Sequence, residues 1–369
     1  MKILISANSY WNLFNFRIEI IKELINLDYE IILLASFDSY KSEFRDLRVR
    51  CVDIKIDKKG TNIFKEFFLL CNYYKILYEL KPDIILSYTI KPNIYGAMIS
   101  KLLGFSIITN VSGLGTVFLN KSIGYLFAKY FYAKILSFSS HVFFQNPYDK
   151  ILITNINSKI SNISSVIPGS GVSLTKFSPK ENISDISNII FVGRLIKDKG
   201  ILEFLDVVDS FSIEENSKIK FYIAGELNVE NSTAISENFF QNFLSEHDNL
   251  KYLGKVDDIK KIYSKMDLLV LPSYREGLSR SILEACSSGL PVVTSDVPGC
   301  SDIIIDGVNG YLCNPRDSTS LKHSINKMLS LSKNELLNMS KKSREIVQSK
   351  FSIGLVLDKY LNQIGKLKK

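Results

Sequence analysis

DLLVLPSYREGLSRSILEACSSG, residues 267–289, decides how the rest of the chain is read. Residues 267–272 are apolar and strand-like, the next few carry Arg275, Glu276 and Gly277, and Ser279 opens a helical pattern whose buried side is Ile282, Leu283 and Ala285. A buried strand, a turn and a helix N-terminus form the repeating unit of open α/β sheets, which bind ligands beyond the carboxyl ends of their strands. Glu276 in the turn and Glu284 eight residues later are expected to face that crevice. Between them, unpaired amides at Leu278, Ser279 and Arg280, beside Gly277, would make an anion site supported by the helix dipole. Such a set suits an anionic ligand rich in hydroxyls. Taken alone the carboxylate pair is weak, since with acidic residues near one in ten roughly four pairs at this spacing arise by chance in such a chain, and a solvated turn residue plus a surface helix residue would look the same.

The chain around this stretch is 369 residues long and 46% hydrophobic, enough for two domains of ordinary size. Its net charge of +8 favours an anionic partner, although a lysine-rich surface also serves solubility alone. The five cysteines, Cys51, Cys71, Cys286, Cys300 and Cys313, are scattered and never at zinc-binding spacings, so they read as reduced, mostly buried thiols of a cytoplasmic protein. No run of eighteen apolar residues occurs, and MKILISAN enters a strand at once, which argues against a membrane span or a signal peptide.

Strand and helix signals alternate along the chain: strands at KILISA, 30–36, 52–56, 83–87, 106–111 and 141–146, with helices at 16–25, 63–80, 93–103 and 123–136. The rhythm breaks at VIPGSGVSLTKFSPKENISD, where Pro168, Gly169, Gly171 and Pro179 crowd a polar segment. It resumes with strands at 188–193, 218–224, 251–254, 267–272 and 291–296, and helices at 200–211, 234–245, 258–265 and after Ser279. From Ser320 the tail reads as helical, its last stretch amphipathic. The expectation is an α/β chain of two doubly wound domains, 1–167 and 168–350, each with a parallel sheet covered on both faces.

A second candidate site is GRLIKDKG, residues 193–200, which follows the first strand of the second domain. Arg194 and Lys199 would stand on the same rim as Glu276, where two cations can neutralise a diphosphate. In the first domain TIKPN (89–93) and VSGLG (111–115) each follow a strand, which places Lys91, Gly113 and Gly115 beside the first domain's crevice. Residues 8–17 hold the single Trp and a lone Arg17 among aromatic residues, readable as core or as ligand contact. His141, His247 and His323 are isolated, and the chain has no Asp-x-Asp pair, no G-x-G-x-x-G after the first strand and no Walker lysine loop. These absences exclude a local zinc site and argue against a nicotinamide enzyme, a P-loop ATPase or a bound metal.

Together these residues resemble the retaining nucleotide-sugar glycosyltransferases of family 4, and the likeness spans nearly the whole chain. It rests on the E-x7-E pair in YREGLSRSILEA, on GRLIKDKG, and on DVPGCSDIIIDGVNGYL at 296–312. SYTIKPNIYGAMISKLLG, TNVSGLGTVF, VFFQNPYDK and IPGSGVSLTKF are similar to the capsular polysaccharide and O-antigen branch. The resemblance implies the GT-B fold, in which two Rossmann-like domains face each other across a cleft and the final helix, within 351–369, crosses back to the first. It implies Arg194 and Lys199 on the donor diphosphate, with Gly193 beside them, Glu284 on the ribose, Glu276 on the transferred sugar, and the backbone of Gly254 to Val256 near the base. Arg17, Lys91, Gly113 and Gly115 would fall on the acceptor side. The chain departs from the family in having NSYWNLFNF where many members carry a paired-glycine loop, and Lys91 where many carry a histidine.

The implied activity is metal-independent transfer, with retention, of a sugar from a nucleotide-diphosphate donor, UDP-linked, to a lipid-linked or polysaccharide acceptor in surface glycan synthesis. No cofactor and no nucleic acid is implied. A sugar epimerase or phosphorylase of the same architecture and a non-catalytic nucleotide-binding or docking subunit are the alternatives. Aromatic and basic runs at 64–80 and 124–138 suggest peripheral attachment to the anionic inner face of a bacterial plasma membrane, though both helices could be core.

Overall fold

The computed structural model describes residues 1–57, 62–114, 123–179, 185–212, 218–229 and 231–368, with the backbone alone for 123–126 and 212. The chain divides into two compact units, Met1–Ser170 with Gly354–Lys369, and Gly171–Ile353.

Unit 1 is built on a seven-stranded parallel sheet in the order β3-β2-β1-β4-β5-β6-β7. Its strands are β1 (Lys2–Ser6), β2 (Glu30–Ala35), β3 (Val49–Asp53), β4 (Ile84–Tyr88), β5 (Ser106–Val111), β6 (His141–Phe144) and β7 (Ser164–Val166). The central strands are short apolar runs buried along their length, as a sheet covered on both faces requires. The connecting helices are α1 (Tyr10–Asn26), α2 (Ile63–Leu80), α3 (Ile90–Leu103), α4 (Ile123–Leu136) and α5 (Pro147–Ile156). Ser9 caps α1 by accepting the Asn12 amide, and Pro147 opens α5, where its missing N–H costs nothing.

Unit 2 carries a six-stranded parallel sheet in the order β10-β9-β8-β11-β12-β13. The strands are β8 (Asn188–Val192), β9 (Lys220–Ala224), β10 (Leu250–Tyr252), β11 (Leu268–Leu271), β12 (Val292–Ser295) and β13 (Tyr311–Cys313). The helices are α6 (Ile201–Ser212), α7 (Glu237–Glu246), α8 (Ile259–Tyr263), α9 (Arg280–Ser287), α10 (Ser318–Leu329) and α11 (Lys333–Lys350). The buried core runs through Phe191, Phe204, Phe221, Val270, Leu283 and Val293. The last helix, α12 (Ile353–Leu367), belongs from Gly354 onward to unit 1, where Tyr360 is buried and its hydroxyl accepts from Asn110 at 2.8 Å.

Several expected elements are displaced. The third strand lies at Val49–Asp53 rather than 52–56; Ile54 and Ile56 are buried, so their alternation extends the pattern past the end of the ladder. Helix α1 begins at Tyr10, six residues before the apolar period is clear, and α3 begins at Ile90, so Lys91 stands in a first helical turn instead of a loop. The tail is interrupted at 330–332 and 351–352, and α5, β7 and β13 were not anticipated. Cys286, Cys300 and Cys313 are buried, Cys51 is partly exposed and Cys71 is exposed. Burial pushes the Cys286 thiol up to about 12 and Cys313 to about 11, which leaves both unreactive thiols.

Candidate active site

β8 and β11 are adjacent and parallel, so the segments that follow them emerge on the same rim of the unit 2 sheet. Local contacts clasp them together. The Tyr274 amide donates to the Asp198 carbonyl at 2.9 Å, and the Tyr274 hydroxyl donates to Glu203 at 2.7 Å. Gly200 has φ +74°, and a Cβ there would lie 2.1 Å from the Pro272 carbonyl oxygen, so only glycine lets these two segments approach so closely.

Within the clasp, Glu276 has only 11% of its side chain exposed. Its Oε1 accepts from the Lys199 ammonium and, at 2.8 Å, from the buried Ser273 hydroxyl. Two residues assigned separate tasks from sequence, Lys199 on the diphosphate and Glu276 on the sugar, are thus an ion pair here. Arg194, two residues past β8, is exposed, and among the described residues no carboxylate lies within ion-pair distance of it. Glu284, on the second turn of α9, is buried and accepts from Arg280 Nε at 2.6 Å. Each carboxylate of the pair is therefore oriented by its own cation.

The expected row of amides at the start of α9 needs one correction. The Ser279 N–H donates to the Gly299 carbonyl at 3.0 Å, so Ser279 is not an unpaired donor in this structure. Gly299 supports the turn closely: with φ +84°, a Cβ on it would fall 2.5 Å from the Glu276 carbonyl oxygen. The Glu276 amide in turn reaches the Pro298 carbonyl at 3.3 Å. Gly277 and Leu278 complete the turn, with Leu278 partly buried against the core. Ser273, Tyr274 and Gly299 were not singled out from sequence as site residues. Pro298 and Gly299 lie in the 296–312 segment quoted for the family likeness, but their contact with the 276–279 turn was not legible there.

Further along the same rim, the Gly193 amide donates to Ala224 at 3.0 Å, and the Gly254 carbonyl accepts from the Gly225 amide at 2.8 Å. This places the 254–256 turn after β10, the outer strand beyond β9, with Val256 partly buried. Across these turns the rim carries two cations, Arg194 and Lys199, and two carboxylates, Glu276 and Glu284.

In unit 1, Lys91 and Gly113 line one cavity of about 270 Å³ at the ends of β4 and β5, together with Asn8, Thr89, Asn93 and Ser112. Lys91 forms an ion pair with Glu66, which also accepts from the Tyr95 hydroxyl. Arg17 is buried, its guanidinium 4.1 Å from the centre of the Tyr88 ring and its Nη2 3.3 Å from the hydroxyl of Ser112, one of the residues that line the cavity. Trp11, by contrast, is exposed. Gly115 lies outside the described residues.

Two family models match the chain in succession, one described as glycosyl transferase 4-like over residues 2–146 and one as glycosyl transferases group 1 over 175–346. The chain is 27% identical over 350 residues, 89% of each chain, to the N,N'-diacetylbacillosaminyl-diphospho-undecaprenol alpha-1,3-N-acetylgalactosaminyltransferase of Campylobacter jejuni. It is 28% identical over 354 residues, 91% of this chain and 89% of the other, to the UDP-Gal:alpha-D-GlcNAc-diphosphoundecaprenol alpha-1,3-galactosyltransferase of Escherichia coli. A solved glycosyltransferase from Rickettsia africae matches 99% of this chain and 98% of its own with a TM-score of 0.81 at 18% identity, which shows the GT-B fold. With both halves matched in order, the chain belongs to the group 1 glycosyltransferases and is a retaining enzyme that uses nucleotide-sugar donors.

Proposed function

We propose that this enzyme moves a hexose or N-acetylhexosamine from a UDP-linked donor, bound on the rim of unit 2, to a saccharide carried on a polyprenyl diphosphate, bound through unit 1, during synthesis of a capsule or lipopolysaccharide O-antigen. Residues 1–167 with 351–369 would form the acceptor domain and 168–350 the donor domain. The observation that carries this reading is the clasp around Glu276, in which a partly buried carboxylate and Lys199 pair beside Arg194 at the carboxyl ends of parallel strands. The acceptor class is inferred from the names of the two relatives with near full-length similarity.

In this reading Arg194 and Lys199 take the diphosphate, Glu284 accepts from the ribose hydroxyls, and Glu276 approaches the sugar. The bond from the anomeric carbon to the diphosphate breaks, the acceptor oxygen attacks on the same face, and its proton passes to the leaving phosphate oxygen. No protein general base is required, so catalysis rests on positioning and on stabilising the departing charge. In this reading the departing charge falls to the two cations and the backbone. Incubation with UDP-sugars and a short polyprenyl-diphosphate saccharide in excess EDTA is expected to release UDP only when acceptor is present. Release without acceptor or a requirement for inorganic phosphate would favour another enzyme, loss of activity rescued by added magnesium would overturn metal independence, and no release with any donor would favour a binding subunit.

We further propose that unit 1 rests on an anionic membrane surface. In α2, Leu69, Tyr73 and Leu77 are buried, while Ile63, Phe64 (77% exposed), Phe67 and Phe68 face outward. In α4, Tyr132, Ala133 and Leu136 are buried and Phe127 (74% exposed) and Tyr130 face outward. These helices therefore do both things that the sequence left open, core packing on one side and aromatic exposure on the other. No described helix is long and apolar enough to cross a membrane. Interfacial aromatics with a net charge of +8 suit phosphatidylglycerol-rich lipid. Sedimentation with such vesicles at low salt is expected to capture the protein, and Phe64→Ser with Phe127→Ser to release it; no binding by the parent protein would leave these faces without a lipid role.

A further inference from the structure

Glu203, on the first turn of α6, is only 8% exposed. Its Oε1 accepts from the Tyr274 hydroxyl at 2.7 Å, and its Oε2 is buried with no hydrogen-bond partner among the described residues. Holding a carboxylate out of water on a neutral hydroxyl is costly. The dipole of α6 favours an acidic residue in this turn, but a solvated one would serve it equally well. Two apolar side chains would fill the same space without the penalty. What the buried carboxylate adds is a directional contact with Tyr274.

Tyr274 is joined to both halves of the Lys199–Glu276 pair. Its amide donates to the carbonyl of Asp198, the residue before Lys199, at 2.9 Å. Ser273, the residue before Tyr274, donates its hydroxyl to Glu276 at 2.8 Å. Burial, and after it the Glu203 carboxylate, push the Tyr274 hydroxyl well above its usual range, so it remains a donor at neutral pH. Over the ring stands Arg316, from the turn after β13, its guanidinium carbon 4.6 Å from the ring centre. Arg316 has φ +61°, a left-handed conformation unfavourable for a residue with a Cβ. Segments that follow β8, β11 and β13 thus meet at one side chain, adjacent in sequence to the groups of the clasp.

We propose that Tyr274 and Glu203 are positioning residues for transfer: their hydrogen bond latches the turn after β11 to the start of α6 and so fixes Glu276 against Lys199. The proposal rests on the reading that this clasp serves the donor. The decisive variants are Glu203→Leu, which removes the acceptor, and Glu203→Gln, whose amide oxygen restores one. Neither leaves a buried carboxylate unpaired, so both are expected to fold. Glu203→Leu should lower kcat by about five- to twentyfold, a fraction of the ~100-fold that a 1 Å misplacement near reacting groups costs. Its UDP affinity should stay within about twofold of the parent, because the latch acts on geometry needed as the glycosidic bond breaks. Glu203→Gln should recover most of the turnover. Tyr274→Phe, which keeps the ring under Arg316, should match Glu203→Leu, and the Tyr274→Phe, Glu203→Leu double variant should be no slower than either single one. Steady-state kinetics with the UDP-sugar, titration with UDP and thermal melts, with kinetics run well below each melting point, measure these effects. Parental kcat in Glu203→Leu, a loss in Glu203→Gln as large as in Glu203→Leu, or an equal loss of UDP affinity would overturn the latch alone. Parental turnover in both Lys199→Ala and Glu276→Gln would instead remove the reading of the clasp, and this proposal with it.

Discussion

Arg194→Ala and Lys199→Ala are each expected to slow transfer by about 10²- to 10³-fold, since losing one contact to charge that develops in the transition state costs about 2.7–4 kcal/mol. The two variants should differ in a way that the geometry dictates. Arg194 is exposed and has no carboxylate partner among the described residues, so its removal subtracts one cation and disturbs little else. Lys199 also holds Glu276, so its removal leaves a nearly buried carboxylate with the Ser273 hydroxyl as its remaining side-chain partner. Lys199→Ala should therefore also lower the melting temperature, and its effect should not add to that of Glu276→Gln. Steady-state kinetics and thermal melts of the two single variants and of the Lys199→Ala, Glu276→Gln double variant measure this. Full turnover in both single variants would place the diphosphate elsewhere.

The second large effect separates the two carboxylates. Glu284→Gln should weaken both donor and free UDP, because an ionised carboxylate offers two acceptor oxygens to a ribose diol and the amide offers one. Glu276→Gln should instead lower kcat by an order of magnitude or more while free UDP binds as tightly as before, since cationic character on the sugar appears only as the glycosidic bond breaks. The Lys199 pairing strengthens this expectation, because neutralising Glu276 releases the ammonium toward the diphosphate rather than removing it. Titration with UDP beside turnover measurements decides the matter, and equal losses of UDP affinity in the two variants would end the division of roles.

Much of this architecture was legible because parallel sheets buried on both faces need apolar runs that little else explains. The strand at Ser106–Val111 and the helices at Ile63–Leu80 and Ile123–Leu136 fall where the pattern puts them. The pattern failed where burial and the hydrogen-bond ladder part company, as at Ile54 and Ile56, and where strands of three residues, Ser164–Val166 and Tyr311–Cys313, are too short to show a period. At the site, residue type revealed Arg194, Lys199, Glu276 and Glu284, but not the Lys199–Glu276 pairing, which joins positions 77 residues apart. Nor could sequence show that Ser279 spends its amide on Gly299, or that Arg17 is buried without a counter-ion. Both depend on how distant turns meet at the sheet rims.

The central claim is that the donor nucleotide sits on the unit 2 rim built from the turns after β8, β10 and β11. Hydrogen–deuterium exchange with and without saturating UDP tests its location directly. Slowed exchange at residues 193–200, 254–256 and 276–283, with no change at 89–93, is the predicted result. Protection confined to unit 1, or none at the 193–200 and 276–283 turns despite measurable UDP binding, would contradict it.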